Sequence, residues 1–335
     1  MPITFGSVLL LTGAGFTANF GGFLAIEMWS WIFNNPKLNA AGQLKHKLRQ
    51  KFDFEEIYSD VFDERSGLPA HEVEIFKDVV NEAYVSMDNV IQSGWDSLPI
   101  HPSDVKRFLD RFVTSSCACF TLNQDMTMEK RLGWRPLVPH STNYSGSWGD
   151  VSNTDLSSNT PKQLPTSEEL EVFKAQTGNA NYYIKLHGSL RWVNSDGGDS
   201  KVIGINKMNT IARIPLLNWY FELFQQAISA GNVKLLIIGY GFRDPHINQL
   251  LAQACERNGL KLFVVSPENV EKFLENLLYK GQGQLRSADE TGTKIWNGVA
   301  GYFPYKFSQI FPRSQRTLNP ELSEICMALD LPLVV

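Results

Sequence analysis

The sequence predicts an α/β protein: a doubly wound, mostly parallel, Rossmann-like sheet carrying a mainly helical insertion domain. Three observations predict it. Short, almost wholly apolar runs recur at residues 8–11, 117–122, 182–186, 233–238 and 260–265, and strands buried on both faces read this way. Between them stand stretches with apolar residues three and four apart, the pattern of helices packing by one face. Most of the runs also end in glycines or short polar side chains. Strands alternating with helices imply a parallel sheet covered on both sides, with ligands at the carboxyl ends of the strands.

The chain has 335 residues, 43% of them hydrophobic and 20% charged, enough for one large core and a smaller one. A net charge of -4 without a block of like charges leaves no electrostatic footprint for nucleic acid or an anionic membrane. No basic leader precedes the apolar run at residue 8, and that run is too short to span a bilayer, so a cytoplasmic location is expected. Cys117, Cys119, Cys255 and Cys326 form no CxxC pair; they read as small hydrophobes, and no metal is expected.

In chain order, residues 8–11 lead into Thr12-Gly13-Ala14-Gly15, a tight turn from strand to helix. Without Cβ atoms at Gly13 and Gly15 the backbone can approach a pyrophosphate, and the amides opening the next helix would face it. A plain tight turn fits the same residues, because neither a full GxGxxG nor a GKS/GKT is present. The aromatic stretch 20–33, with Trp29, Trp31, Ile32 and Phe33 expected inside, ends at Asn34-Asn35-Pro36 and would roof the turn. Residues 40–62 are charged and helix-like. Residues 69–93 place Val73, Phe76, Val80, Tyr84, Met87 and Ile91 on one helical face.

The sheet resumes after a helix over 102–112, with the strand 117–122 closing on Thr121-Leu122-Asn123-Gln124-Asp125. Residues 140–165, rich in Ser, Thr, Asn and Gly, read as a surface excursion of the kind that forms lids, in which His140 could touch a ligand. The strand 182–186 ends at His187-Gly188-Ser189, and 190–193 looks like a short hairpin arm. A helix over 215–230 precedes the strand 233–238, which stops at Gly239-Tyr240-Gly241-Phe242. Asp244 reads as the N-cap and His246 as a first-turn residue of a helix that Asn258-Gly259 ends. The strand 260–265 closes on Ser266-Pro267 before a helix through Leu278. His46, His71 and His101 are expected on the surface. The apolar segment 298–335 either tucks onto the core or forms a contact surface. This division gives a Rossmann-like unit from residues 1–30, 100–135 and 180–335, a helical insertion over 31–99, and a long loop or lid-like insertion over 136–180.

Four of the strand ends carry blocks that together resemble a known family. Gly13-Ala14-Gly15-Phe16-Thr17 is similar to the sirtuin GAG-x-S/T motif, Thr121-x-Asn123-x-Asp125 to its T-x-N-x-D, and Leu186-His187-Gly188-Ser189 to its L-H-G. The block from Gly239 through Asp244-Pro245-His246-Ile247 resembles the G-Y-S-F-x-D-x-x-I of a bacterial sirtuin-like branch. The four occur in the family's order over roughly residues 8–270. The protein deacetylases of that family carry four zinc cysteines and a G-I-P-D-F-R stretch, whereas here Gly21-Gly22-Phe23-Leu24-Ala25 comes after the first block and there is no cysteine quartet. The branch lacking both resembles the NAD⁺-hydrolysing effectors of anti-phage defence.

The resemblance implies a catalytic pair, Asn123 and His187, on a substrate NAD⁺, with no metal. Gly13, Ala14, Gly15 and Thr17 would hold the pyrophosphate, Asp125 the nicotinamide amide or its own loop, and Gly239, Tyr240 and Ser266 the adenosine half. It also implies a homo-oligomer and a partner such as a HerA-like ATPase or an Argonaute. Nicotinamide leaves NAD⁺ as a neutral molecule, so the burden falls on positioning and on stabilising an oxocarbenium. His187 would be a base with a pKa suited to neutral pH, and Asn123 would orient ribose and water through its carbonyl and amide. Two other readings share the site: an NAD-dependent deacylase or ADP-ribosyltransferase acting on protein, and a non-catalytic module that binds NAD⁺ or ADP-ribose.

Overall fold

The computed structural model describes residues 3–63, 65–113, 117–138, 162–176, 182–190, 192–195, 197, 200–280, 287–314 and 319–333. Six parallel strands build the main sheet: β1 (Val8–Thr12), β2 (Ala118–Thr121), β4 (Tyr182–Lys185), β6 (Lys234–Ile238), β7 (Lys261–Val265) and β10 (Val299–Phe303). Two-residue strands β3 (Lys162–Gln163) and β5 (Trp192–Val193) pair with each other, as do β8 (Tyr279–Lys280) and β9 (Ser287–Ala288). The spatial order of the main sheet is β10-β7-β6-β1-β2-β4. Numbered within the sheet and read from the other edge, this is the 3-2-1-4-5-6 order of dinucleotide-binding folds, whose crevice opens where the order reverses, between β1 and β6.

Alternation along the strands divides the core in two. Leu10, Cys119, Tyr183, Leu236 and Phe263 face a cluster shared with Met28, Ile32, Leu44, Ile57, Phe76 and Val80. That side is covered by the helices Ala25–Phe33, Gly42–Gln50, Phe54–Phe62, Ala70–Gly94 and Pro102–Leu109, all lying between β1 and β2 in the chain. Leu9, Leu11, Phe120, Ile184, Leu235 and Ile237 face the opposite cluster, with Leu217, Tyr220, Phe224, Ile247 and Leu251 from the helices Pro215–Ile228 and Pro245–Asn258. None of the described helices is long and apolar enough to cross a membrane.

Several expectations change. Trp29, Trp31 and Phe33 are half-buried, and only Met28 and Ile32 of their helix are fully inside. Trp192 and Val193, expected in a hairpin arm, instead form β5, which pairs in parallel with β3 at the end of the earlier excursion. Residues 139–161 of that excursion, His140 included, lie outside the described residues. Its described end is not surface, for Leu164 is buried in the second cluster, with Leu170 and Phe173 of the Ser167–Gln176 helix close behind. The segment from 298 onward supplies β10 beside β7 and buries Phe303, Phe307, Ile310 and Phe311. It therefore tucks onto the core, while Leu333 near its end is exposed. Cys119 and Cys326 are buried as expected, but Cys117 and Cys255 are half-buried. His46 and His71 are exposed, whereas His101 is half-buried beside Asp104.

The turn after β1 and the loop after β6 are bound backbone to backbone. Gly13 N–H donates to the Ile238 carbonyl at 3.1 Å and Gly15 N–H to the Gly239 carbonyl at 2.8 Å. A Cβ on Gly13 would stand 2.8 Å from the Gly239 oxygen, and Gly239 itself takes φ +67° with the Phe16 amide where its own Cβ would go. Gly239→Ala combines a left-handed conformation, costing about 1–3 kcal/mol in a residue with a side chain, with that overlap. It is expected to lower the urea midpoint of unfolding by the equivalent of at least that amount.

Candidate functional site

The carboxyl ends of the central strands are level. Thr12 pairs with Thr121 and with Ile238, and Thr121 with Lys185. The segments leaving β1, β2 and β4 meet around one cleft, whose floor is Ala14, Leu122 to Asp125 and His187. Its other walls come from Phe23, Leu24, Ala25 and Met28, from Phe54 and Glu55, from Tyr84 and Met87, and from Val202, Ile203 and Lys207. Four residues of the aromatic stretch thus line the same cleft as Ala14, while Trp29, Trp31 and Phe33 do not.

Asn123 lies at the centre of a directional hydrogen-bond chain. Its Nδ2 donates to the Gly13 carbonyl at 2.9 Å and to Thr17 Oγ1 at 2.7 Å. Thr17 Oγ1 donates to Asp125 Oδ2 at 2.8 Å, and Asp125 Oδ1 accepts the Thr127 amide at 2.9 Å. Both amide hydrogens of Asn123 are thereby occupied, which orients the side chain and leaves Oδ1, an acceptor, for the cleft. Thr17 and Asp125 are buried parts of this chain. The amides of Gly13, Gly15 and Phe16 are likewise paired to protein carbonyls, so the glycines serve first to bring two loops together, and Ala14 is the member of the turn that lines the cleft.

Beneath the loop lies a buried ion pair. Lys185, with no exposure, donates to Glu129 Oε1 at 2.8 Å and to the Asp125 carbonyl, while Tyr183 OH donates to Glu129 Oε2 at 3.2 Å. Burial raises the Glu129 carboxyl above its usual range, with Lys185 opposing.

His187, the residue after Leu186 at the end of β4, is 3% exposed. Gly188 comes next at φ +76°, and a Cβ there would overlap the Ser200 carbonyl. His187 Nε2 stands 3.0 Å from His246 Nε2. Burial drives the His187 pKa down to about 3 and the His246 pKa to about 4, so both rings are neutral at pH 7, and the expectation of a histidine titrating near neutrality is corrected. The Leu122 backbone opposes that fall by favouring the protonated His187 ring, and in the neutral pair one of the two facing Nε2 atoms carries the hydrogen and the other the lone pair.

Asp244 is the N-cap of its helix with Pro245 first inside it, as expected, although its side chain makes no capping hydrogen bond. Its carboxylate pairs with Lys207 Nζ at 2.5 Å, and Lys207 also reaches Glu55 at 2.8 Å. Burial alone would raise the Asp244 carboxyl; the neighbouring His187 and Lys207 outweigh it and hold it below the usual range. One donor atom each from His187, Asp244 and His246 all lie within 4.8 Å of one another, the one potential metal-donor group among the described residues. Gly239 ties the turns, Tyr240 OH bonds Asn248 Oδ1 at 2.8 Å, and Ser266 N–H donates to the Phe303 carbonyl at 3.2 Å; none of the three lines the cleft. Sequence reasoning passed over Glu55, Lys207, Asp244 and His246 as site residues. Only the last two carried a signal, by standing in the block after β6.

The SIR2-like domain model matches residues 118–283. That match supports a sirtuin-like family. It points to NAD-related activity in general and spans β2 to β8, with the Asn123 loop, His187 and the Asp244–His246 turn inside it. No curated protein matches the chain.

Thr17→Val would leave an Asn123 N–H and Asp125 Oδ2 unpaired and is expected to cost about 1–3 kcal/mol in denaturant unfolding. Lys185→Met strands the Glu129 charge, at a cost of about 3–5 kcal/mol. Adding Glu129→Gln, which removes that charge and keeps an acceptor for Tyr183, should recover part of the loss in the same measurement.

Proposed function

We propose that the chain is an NAD⁺ glycohydrolase that breaks the bond between nicotinamide and ribose. The observation that carries the reading is the placement of an outward-facing Asn123 carbonyl and a neutral His187 on one cleft floor, at the carboxyl ends of the neighbouring strands β1, β2 and β4. The match to the SIR2-like domain supports NAD⁺ as the substrate class.

Cleavage releases nicotinamide as a neutral molecule and leaves an oxocarbenium on the ribose, which water attacks. Asn123 Oδ1 accepts a hydrogen bond from that water or from a ribose hydroxyl and so fixes its approach. His187 Nε2 takes the proton, giving up its contact with His246 Nε2. A weak base is enough because the electrophile is strong, and the ionised Asp244 favours the imidazolium once formed. Ala14 and the turn would border the pyrophosphate, with Asp125 holding its loop in place. Gly239, Tyr240 and Ser266 would border the adenosine half, reached once substrate seats between the loops.

By its resemblance to anti-phage effectors, the protein would deplete NAD⁺ when activated. It would do so as a homo-oligomer with a HerA-like ATPase or an Argonaute as partner. Purified protein, with its activator where one is required, is expected to release nicotinamide from NAD⁺ measured by chromatography. His187→Ala should lower the rate by about 10²–10⁴-fold and Asn123→Ala by about 10²–10³-fold, with circular dichroism unchanged. Full activity in both variants overturns the reading. Acyl-ADP-ribose or ADP-ribosylated protein in mass spectra would replace hydrolysis by transfer, and tight NAD⁺ binding without turnover would replace it by a binding module.

A further inference from the structure

We propose that His187, Asp244 and His246 form a site for one divalent transition-metal ion of the Zn²⁺ class, and that the bound ion blocks the cleft by taking the His187 lone pair. The two Nε2 atoms stand 3.0 Å apart. Two imidazole nitrogens bound at about 2.0–2.1 Å to one ion stand roughly 2.9–3.4 Å apart, for angles between octahedral and tetrahedral. The rings are thus already spaced for a shared ion, and a carboxylate oxygen completes a set within 4.8 Å.

The charge around the rings favours the metal as well. Around the rings, the Glu55 and Asp244 carboxylates face the single Lys207 ammonium, leaving one excess negative charge for a cation. Lys207 keeps Glu55 as its partner when Asp244 turns an oxygen to the ion. His187 lines the cleft, which gives the ion a path in from solvent.

The site stands independently of the glycohydrolase reading, since binding is measured without turnover. Untagged protein stripped with a chelator is titrated with Zn²⁺ by calorimetry. One ion per chain is expected, with affinity falling at least about 100-fold in His246→Gln, beyond the roughly 10–100-fold that loss of an outer-shell partner costs. His71→Gln, at an exposed histidine, should bind as the wild type does. X-ray absorption of the Zn²⁺-loaded wild type, which needs no variant to fold, should contain two imidazoles in the first shell. Where nicotinamide release is measurable, Zn²⁺ should stop it and chelator should restore it, and His246→Gln should need at least about 100-fold more Zn²⁺ for the same inhibition, in line with its lost affinity. No bound ion in the wild type, undiminished binding in His246→Gln, or a first shell without two imidazoles overturns the site; binding without inhibition overturns the blocking role.

Discussion

The backbone tie between the turn after β1 and the loop after β6 is the constraint on which the rest of the site depends. Gly13 and Gly15 donate to the carbonyls of Ile238 and Gly239, and a Cβ at any of the three glycines would push the loops apart. Because the loops lie this close, the Gly13 carbonyl is within reach of Asn123, and Thr17 within reach of both Asn123 and Asp125. The ends of three strands are thereby joined. Holding the cleft floor falls largely to groups whose sequence pattern first suggested direct contact with a phosphate.

Charge is handled differently on the two sides of that floor. Lys185 and Glu129 form a closed pair with no access to solvent, further satisfied by Tyr183 and by the Asp125 carbonyl. Such a pair fixes geometry more than it adds stability. Lys207 is instead shared between two acids at the cleft wall, one on a helix inserted between β1 and β2 and one at the start of the helix after β6. Its ion pairs fasten the insertion to the sheet at the point where the cleft is walled.

Periodicity made the sheet legible. The five apolar runs became five of the six parallel strands, and the polar residues at their ends gave Asn123 and His187 their places. The sixth strand was hidden because Gly301 interrupts its apolar pattern and the pairing with β7 is irregular between Val299 and Gly301. β5 was misread because its partner lies some thirty residues upstream, a separation that leaves no local trace. The same reason hid Glu55 and Lys207, which stand 152 positions apart. His246 was visible as a residue but not as a neighbour of His187, since a helix start explains Asp244-Pro245-His246 without reference to another strand. Its role emerges only from the rotation of the helix toward β4.

The fixed orientation of the Asn123 amide gives the cleft a polarity. With both hydrogens committed to Gly13 and Thr17, the side chain can receive a hydrogen bond from a ligand but cannot give one. A hydroxyl or a water is therefore held there, while a carbonyl or carboxylate presented to the same spot meets another lone pair and is turned away. The floor thus discriminates by the direction of the hydrogen bond before shape is considered, and it does so through a buried threonine hydroxyl set back from the cleft lining.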